Sequence, residues 1–312
     1  MMRVTTFGMN AQYLSDLDQI VSKYQDLSQQ LSTGRKLNQP SDDPVAMAAD
    51  IQTQTVQAQV SQWSSNAGAA LSQMQTADAA LSTLENILGQ VRTEVVQALN
   101  GTNTAQDLNQ ICAVVQQQTA AVANVANTSD GGQYIFAGTN GTQAPWDTSS
   151  ATWKGNSNQR TVVIGGSVTV AVNVDGESLF ATAPSGASKG LLATGGAGAP
   201  PNSGVLQQIQ ADLANGDMNG LRTDLSDLDA NINQVIAMRS DLGGRMTLVQ
   251  AAQTQLSQAS NLLQQQKGKL EDADLAQVIS QLTTQQTVYM AALATGQHLI
   301  LPTLADVLSN TH

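Results

Sequence analysis

Apolar residues recur along this chain in alternating steps of three and four, a spacing that keeps one stripe of a coiled helix facing inward. The longest run passes through Val60, Trp63, Ala67, Ala70, Met74, Ala77, Leu81, Leu84, Leu88, Val91, Val95 and Ala98 without a slip. Extended back through Val56, Thr53, Ala49 and Ala46, it predicts a helix from Pro44 to Leu99, about 80 Å long at the usual rise per residue. Asp43 is placed to cap the free amides at its start, Pro44 suits the first helical position, and Asn100 and Gly101 end it. A second seam, Leu108, Ile111, Val115, Val122 and Val125, predicts another helix that runs into a turn at Asn127 to Gly132. A third passes through Leu221, Leu225, Leu228, Ile232, Val235, Leu242, Met246, Val249, Leu256, Leu263 and Leu270, interrupted by Arg239, Gln253, Ser260 and Lys267. Gly243 and Gly244 lower helix propensity within it and predict either a local break or the close approach of another backbone. Three seams of this period imply helices wound around one another left-handedly.

Between the second and third seams the period falls to two. Val168, Val170, Val172 and Val174 alternate with small polar residues, and Thr161 to Ile164 precede them across Gly165 and Gly166, which predicts a hairpin. Tyr134 to Phe136 and Ser178 to Phe180 are further strand candidates. Ser185 to Gly204, rich in Gly, Ala and Pro, reads as a linker.

The two ends carry seams of their own: Leu14, Leu17, Val21, Tyr24, Ser28 and Leu31, and Leu275, Ile279, Leu282, Gln286, Tyr289, Leu293, Gly296 and Ile300. Gly34 and Pro40 separate the first from the long helix, and Pro302 closes the second. Two such helices cannot bury a wide apolar face alone, so they are expected to pair and to complete their burial against other subunits. The expected fold is mainly α with a small inserted β domain: an elongated coiled helical rod with the terminal helices forming a separate coiled coil. Its parts are an N-terminal helix (1–39), the first half of the rod (40–132), the β domain (133–184), a linker (185–204), the second half of the rod (205–270) and a C-terminal helix (271–312).

Composition narrows the function. Of the 312 residues only 3% are aromatic and 12% charged, about half the charged share of an ordinary soluble domain, which suits close packing against copies of itself. A formal charge of -11 argues against nucleic acid, whose binding needs basic residues on phosphates. The single cysteine, Cys112, excludes an internal disulfide and reads as a small packing residue. The first seventeen residues lack the apolar stretch of a cleaved signal, and no run of about 20 apolar residues marks a membrane span. The only histidines, His298 and His312, leave no zinc motif, and His298 suits a helix C-terminus. Asp42 and Asp43 read as helix caps, and Glu271, Asp272 and Asp274 as a solvated acidic turn. Tyr24, Tyr289 and Trp63 read as core residues, and Trp146 and Trp153 as packing residues of the β domain. No catalytic residue, cofactor or metal is expected.

Three segments carry a resemblance. LSQQLSTGRKLNQPSDDPVAMAA (27–49), RSDLGG (239–244) and LEDADLAQVISQLTTQQTVYMAALATGQHLILPTLADVL (270–308) resemble signatures of the flagellin superfamily, in the right order around a variable centre. GGQYIFAGT (131–139) and WKGNSNQRTVVIGGSVTVAVNVDGESLF (153–180) are more similar to the members that join hook to filament. The resemblance implies a structural role in the bacterial flagellum, export through the flagellar type III apparatus without a cleaved signal, and an extracellular place at the hook-filament junction. The implied partners are further copies in a ring, the first hook-associated protein on one side, flagellin on the other, and a cytosolic export chaperone. The side chains expected to make the assembly interface are Leu14, Leu17, Val21, Tyr24, Leu31, Ile279, Leu282, Tyr289, Leu293 and Ile300. Two other readings remain open: filament flagellin itself, and a secreted module whose β domain binds a surface ligand.

Overall fold

The computed structural model describes residues 2–101, 103–192 and 204–309, with side chains described for all of these except 2–7, 9 and 297–309. Among the described residues, six α-helices carry most of the chain: α1 (Met2–Thr33), α2 (Pro44–Ala98), α3 (Ala105–Ala126), α4 (Val205–Asn215), α5 (Met218–Glu271) and α6 (Leu275–Ser309). The described residues between α3 and α4 form six short strands: β1 (Ser129–Asp130), β2 (Gln133–Tyr134), β3 (Trp146–Asp147), β4 (Thr152–Trp153), β5 (Thr161–Val163) and β6 (Thr169–Ala171). The chain divides into two compact units, residues up to 59 together with those from 259, and residues 60–258.

The unit of residues 60–258 is organised by the seam on α2. Every predicted position from Ala67 to Ala98 is buried. On α5, Leu221, Leu228, Val235, Leu242 and Val249 are buried at strict intervals of seven, the spacing that supercoiled helices impose. Leu108, Ile111, Val115 and Val122 of α3 and Leu206, Ile209 and Leu213 of α4 complete the helical core. Arg239, the charge that interrupts the α5 seam, reaches α2 with both ends of its guanidinium: Nε lies 3.1 Å from Asp78 Oδ1 and Nη1 lies 2.6 Å from Glu85 Oε2. An apparent flaw in the heptads is thus an interhelical clamp, and its position fixes the register of α5 on α2.

α5 runs unbroken through Gly243 and Gly244, against the expected break, and a methyl group at either position would meet nothing. Continuous hydrogen bonding from well-buried neighbours on both sides outweighs the modest propensity cost of two glycines. The real break falls earlier, where Gly216 adopts a left-handed φ of 69° and separates α4 from α5.

The strands form three separate antiparallel pairs, β1 with β2, β3 with β4 and β5 with β6. Gly131 and Gly132, with φ of 57° and 80°, make the tight turn between β1 and β2, a conformation that side chains disfavour. The β5–β6 hairpin forms as its alternating valines predict, closed by the Val168 amide on the Gly165 carbonyl at 3.3 Å. Val168 itself is exposed at the turn, whereas Val170, Val172 and Val174 are buried. Ser178 to Phe180, expected as a strand, lie in a single π turn, Glu177–Ala181, which drives Leu179 and Phe180 into the core. Phe136 meets Phe180 edge-on at 5.4 Å and Trp153 stacks on it at 5.5 Å, so three aromatic rings anchor this region. Trp146 is buried, as a packing role requires. Trp63 is only half-buried on α2, close to Gly166, and one turn on Asn66 donates to the Val163 carbonyl at 2.9 Å. Both tie the hairpin to the helix.

Candidate assembly interface

The terminal helices are set in place by the loops that follow and precede them. α1 stops where Gly34 turns left-handed at φ 70°. Its carbonyl accepts the Ala273 amide at 3.0 Å, and the Lys36 amide donates to the Glu271 carbonyl at 2.7 Å, so the exit from α1 and the entry to α6 hold each other. Glu271, expected in a solvated turn, is buried at 6% exposure, with Arg35 Nε 3.6 Å away and Gln54 donating at 3.3 Å. It is buried because two segments distant in sequence close over it. Asp274 starts α6, accepting the amides of Ala276 and Gln277 at 3.1 and 3.2 Å. Asp43 caps α2 as expected, taking the amides of Val45 and Ala46 at 3.0 Å. Asp42 does different work. Its Oδ2 accepts the amides of Asn38 and Gln39 at 2.8 and 2.9 Å, and these donors hold its carboxyl below the ordinary range.

α1 and α6 pack together. Among the described residues of α1, Asn10, Tyr13, Leu17, Ile20, Val21, Leu27 and Gln30 are at least half-buried; on α6 they are Val278, Leu282, Gln285, Tyr289, Ala292 and Gly296. Tyr13 donates its hydroxyl to the Ala292 carbonyl at 2.6 Å, and Gln285 donates to the Ile20 carbonyl at 3.3 Å. These two bonds join the helices along the paired row.

The ten residues expected at the interface therefore divide. Leu17, Val21, Leu282 and Tyr289 are half-buried. Leu14 (59% exposed), Ile279 (51%) and Leu293 (40%) are exposed, with Tyr24 and Leu31 at 36% each. The side chain of Ile300 lies outside the described residues. Val288 and Met290 of α6 are exposed too. Pairing rotates the helices by one position from the seam read in the sequence, so that Tyr13 and Ile20 turn inward where Leu14 was expected. Tyr13, Ile20 and Val278 were missed, although Tyr13, Leu17, Ile20, Tyr24 and Leu27 follow the same alternation of four and three. Between the helices lies a cleft of about 420 Å³ lined by Val21, Tyr24, Gln25, Gln286, Tyr289 and Met290.

Apolar side chains along an otherwise ordered helix pair are unspent burial. Each, fully covered, contributes roughly 1.5–3 kcal/mol. Among the described residues, no group of three acidic, histidine or cysteine side chains is disposed to hold a metal, and no helix is long and apolar enough to cross a membrane.

The bacterial flagellin N-terminal helical region matches residues 4–141, and the bacterial flagellin C-terminal helical region matches residues 225–297. The chain is a flagellin-like protein, with both helical regions of that family in order around its own centre. Its likeness to flagellar hook-associated protein 3 runs nearly end to end: 26% identity to that of Salmonella typhimurium, over 94% of this chain and 96% of the relative. The Escherichia coli protein of the same name is 24% identical over 93% of this chain and 95% of its own. A solved flagellar hook-associated protein from Vibrio parahaemolyticus has the same fold, with a TM-score of 0.64 and 20% identity, covering 74% of this chain and all of that one.

Proposed function

We propose that this chain is a structural component of the bacterial flagellum that joins hook and filament, and that it assembles through the outward row of its paired terminal helices. Leu14, Ile279 and Leu293 supply the contact, Tyr24 and Leu31 border it, and Leu17, Val21, Leu282 and Tyr289 support it from the α1–α6 seam. The single observation that carries this reading is an exposed apolar row on helices whose other face is already used for pairing. Removing that row from water drives association, and ordering of the ends on assembly offsets part of the gain.

On this reading copies of the chain form a ring between the first hook-associated protein and flagellin. The protein reaches the cell exterior through the flagellar export apparatus, with the help of a cytosolic chaperone. Its work is mechanical, transmitting torque, and involves no catalysis. The end-to-end likeness to hook-associated protein 3 supports this reading over filament flagellin or a ligand-binding module.

Labelled electron microscopy of isolated hooks and filaments tests it. The expected image is a thin band of label at the junction; label along the filament would favour filament flagellin. Deleting residues 1–31 or 275–312 is expected to abolish that band, and retained incorporation would defeat the proposal.

A further inference from the structure

Where α4 turns into α5, three acidic side chains are buried beside one lysine. Asp212 on α4, and Asp224 and Asp227 on α5, are 6%, 1% and 4% exposed. Lys189 Nζ donates to Asp224 Oδ1 at 3.1 Å, and the Ser188 amide donates to Asp227 Oδ1 at 2.9 Å. Asn231 Nδ2 donates to the Lys189 carbonyl at 3.0 Å, fixing the lysine's backbone. Asp212 Oδ1 accepts from Gln208 at 2.9 Å.

Two carboxylate oxygens of this cluster, Asp224 Oδ2 and Asp227 Oδ2, are buried without a donor, and the Asp224 carboxyl has that of Asp212 as its acidic neighbour on α4. Gly220 permits the approach, since a methyl group there would collide with Asp212 Oδ2. The neighbouring turn is held separately: Asp217 Oδ1 accepts the amides of Asn219 and Gly220, both at 3.0 Å. Two neighbouring carboxyl groups shielded from water are stable when one carries a proton and repel when neither does.

We propose that Asp212 and Asp224 form a one-proton clasp tying α4 to α5, closed in mild acid and loosened toward neutral and alkaline pH, with Lys189 limiting how far it loosens. The charged groups acting on Asp224 are Lys189, from the segment before α4, and Asp212, from α4. Burial is the largest influence on Asp224 and pushes its pKa up to about 6, Lys189 opposes the shift, and Asp212 adds to it. A carboxyl whose pKa is raised on folding contributes stability that is fully present below its unfolded value. That contribution is lost as pH rises through the folded value, here between pH 4 and just above 6. The clasp therefore works opposite to the usual acid sensitivity of paired carboxylates.

Urea unfolding of the full chain at pH 5.0 and 7.5 tests it, comparing the native sequence with Asp224→Asn, Asp212→Asn and Lys189→Met. Either asparagine supplies a fixed N–H donor, so both variants are expected to lose roughly 10- to 100-fold of the pH dependence of the unfolding constant. Lys189→Met is expected to steepen it. The 13C shift of the Asp224 carboxyl reads the proton directly and does not depend on any variant folding. A midpoint near 6 supports the clasp, whereas a midpoint in the ordinary carboxylate range overturns it. An asparagine variant that folds with an unchanged pH slope overturns it equally.

Discussion

The Tyr13 hydroxyl donates to the Ala292 carbonyl at 2.6 Å, across 279 residues of sequence, and Gly296 one turn further along α6 leaves the space its ring occupies. A methyl group at Gly296 would collide with the Tyr13 hydroxyl. Glycine inside a helix ordinarily lowers stability by about 0.5–1 kcal/mol relative to alanine, so the collision is expected to reverse the usual sign. Gly296→Ala should reduce amide-exchange protection in α1 and α6. In a Tyr13→Ala background the same change should raise it. Tyr13→Phe alone is expected to cost about 1 kcal/mol, the net worth of one hydrogen bond.

Leu282 lies on the paired face of α6 and is half-buried, while Ile279, three residues away, is 51% exposed. Leu282→Asp places a charge in the seam between α1 and α6 and is expected to reduce the helicity of the isolated chain by circular dichroism. Ile279→Asp is expected to leave that signal unchanged. Equal losses from the two changes would show that the inward and outward faces have been assigned wrongly.

Arg239 bridges Asp78 and Glu85, about a third of each side chain being exposed. Solvent screening keeps such pairs modest, but one planar guanidinium meeting two carboxylates a heptad apart also sets register. Arg239→Ala is expected to destabilise residues 60–258 by about 1–2 kcal/mol in urea unfolding, with the loss shrinking at high salt. Arg239→Leu, which restores an apolar seam, should recover stability while weakening the preference for one alignment of α5 on α2. Cysteine cross-linking between the helices would read that preference.

Asp42 is held below the ordinary carboxylate range by the amides of Asn38 and Gln39. A depressed pKa means that its contribution is present above the unfolded value and is lost as pH falls through the folded one. Amide exchange at Asn38 and Gln39, corrected for intrinsic rate, is therefore expected to accelerate in acid, only below about pH 4. Asp42→Ala should show fast exchange at both sites across the whole range.

Much of this molecule was legible because coiled helices write their packing into sequence. The α2 seam from Ala67 to Ala98 and the seven-residue intervals on α5 can be counted along the sequence alone. So can the Asp43 cap and the Gly165–Gly166 hairpin, since each depends on residues adjacent in the chain. What escaped depends on partners far away. The burial of Glu271 needs Arg35 and Gln54, and the purpose of Arg239 becomes visible only with Asp78 and Glu85 beside it. The π turn at Ser178 to Phe180 arises from aromatic packing with Phe136 and Trp153, which overrides local strand preference. At the candidate interface the seam was legible to within one position. Which face pairs and which stays exposed was not, because Leu14 and Tyr13 are neighbours that can each cover apolar surface and only the docking of α6 chooses between them.

The most direct test replaces Leu14, Ile279 and Leu293 together by serine and measures incorporation at the tip of isolated hooks. Circular dichroism of the purified chain confirms that α1 and α6 still pair. The account predicts a chain folded like the native one that fails to join the hook. A folded triple variant that incorporates at the native level would contradict it.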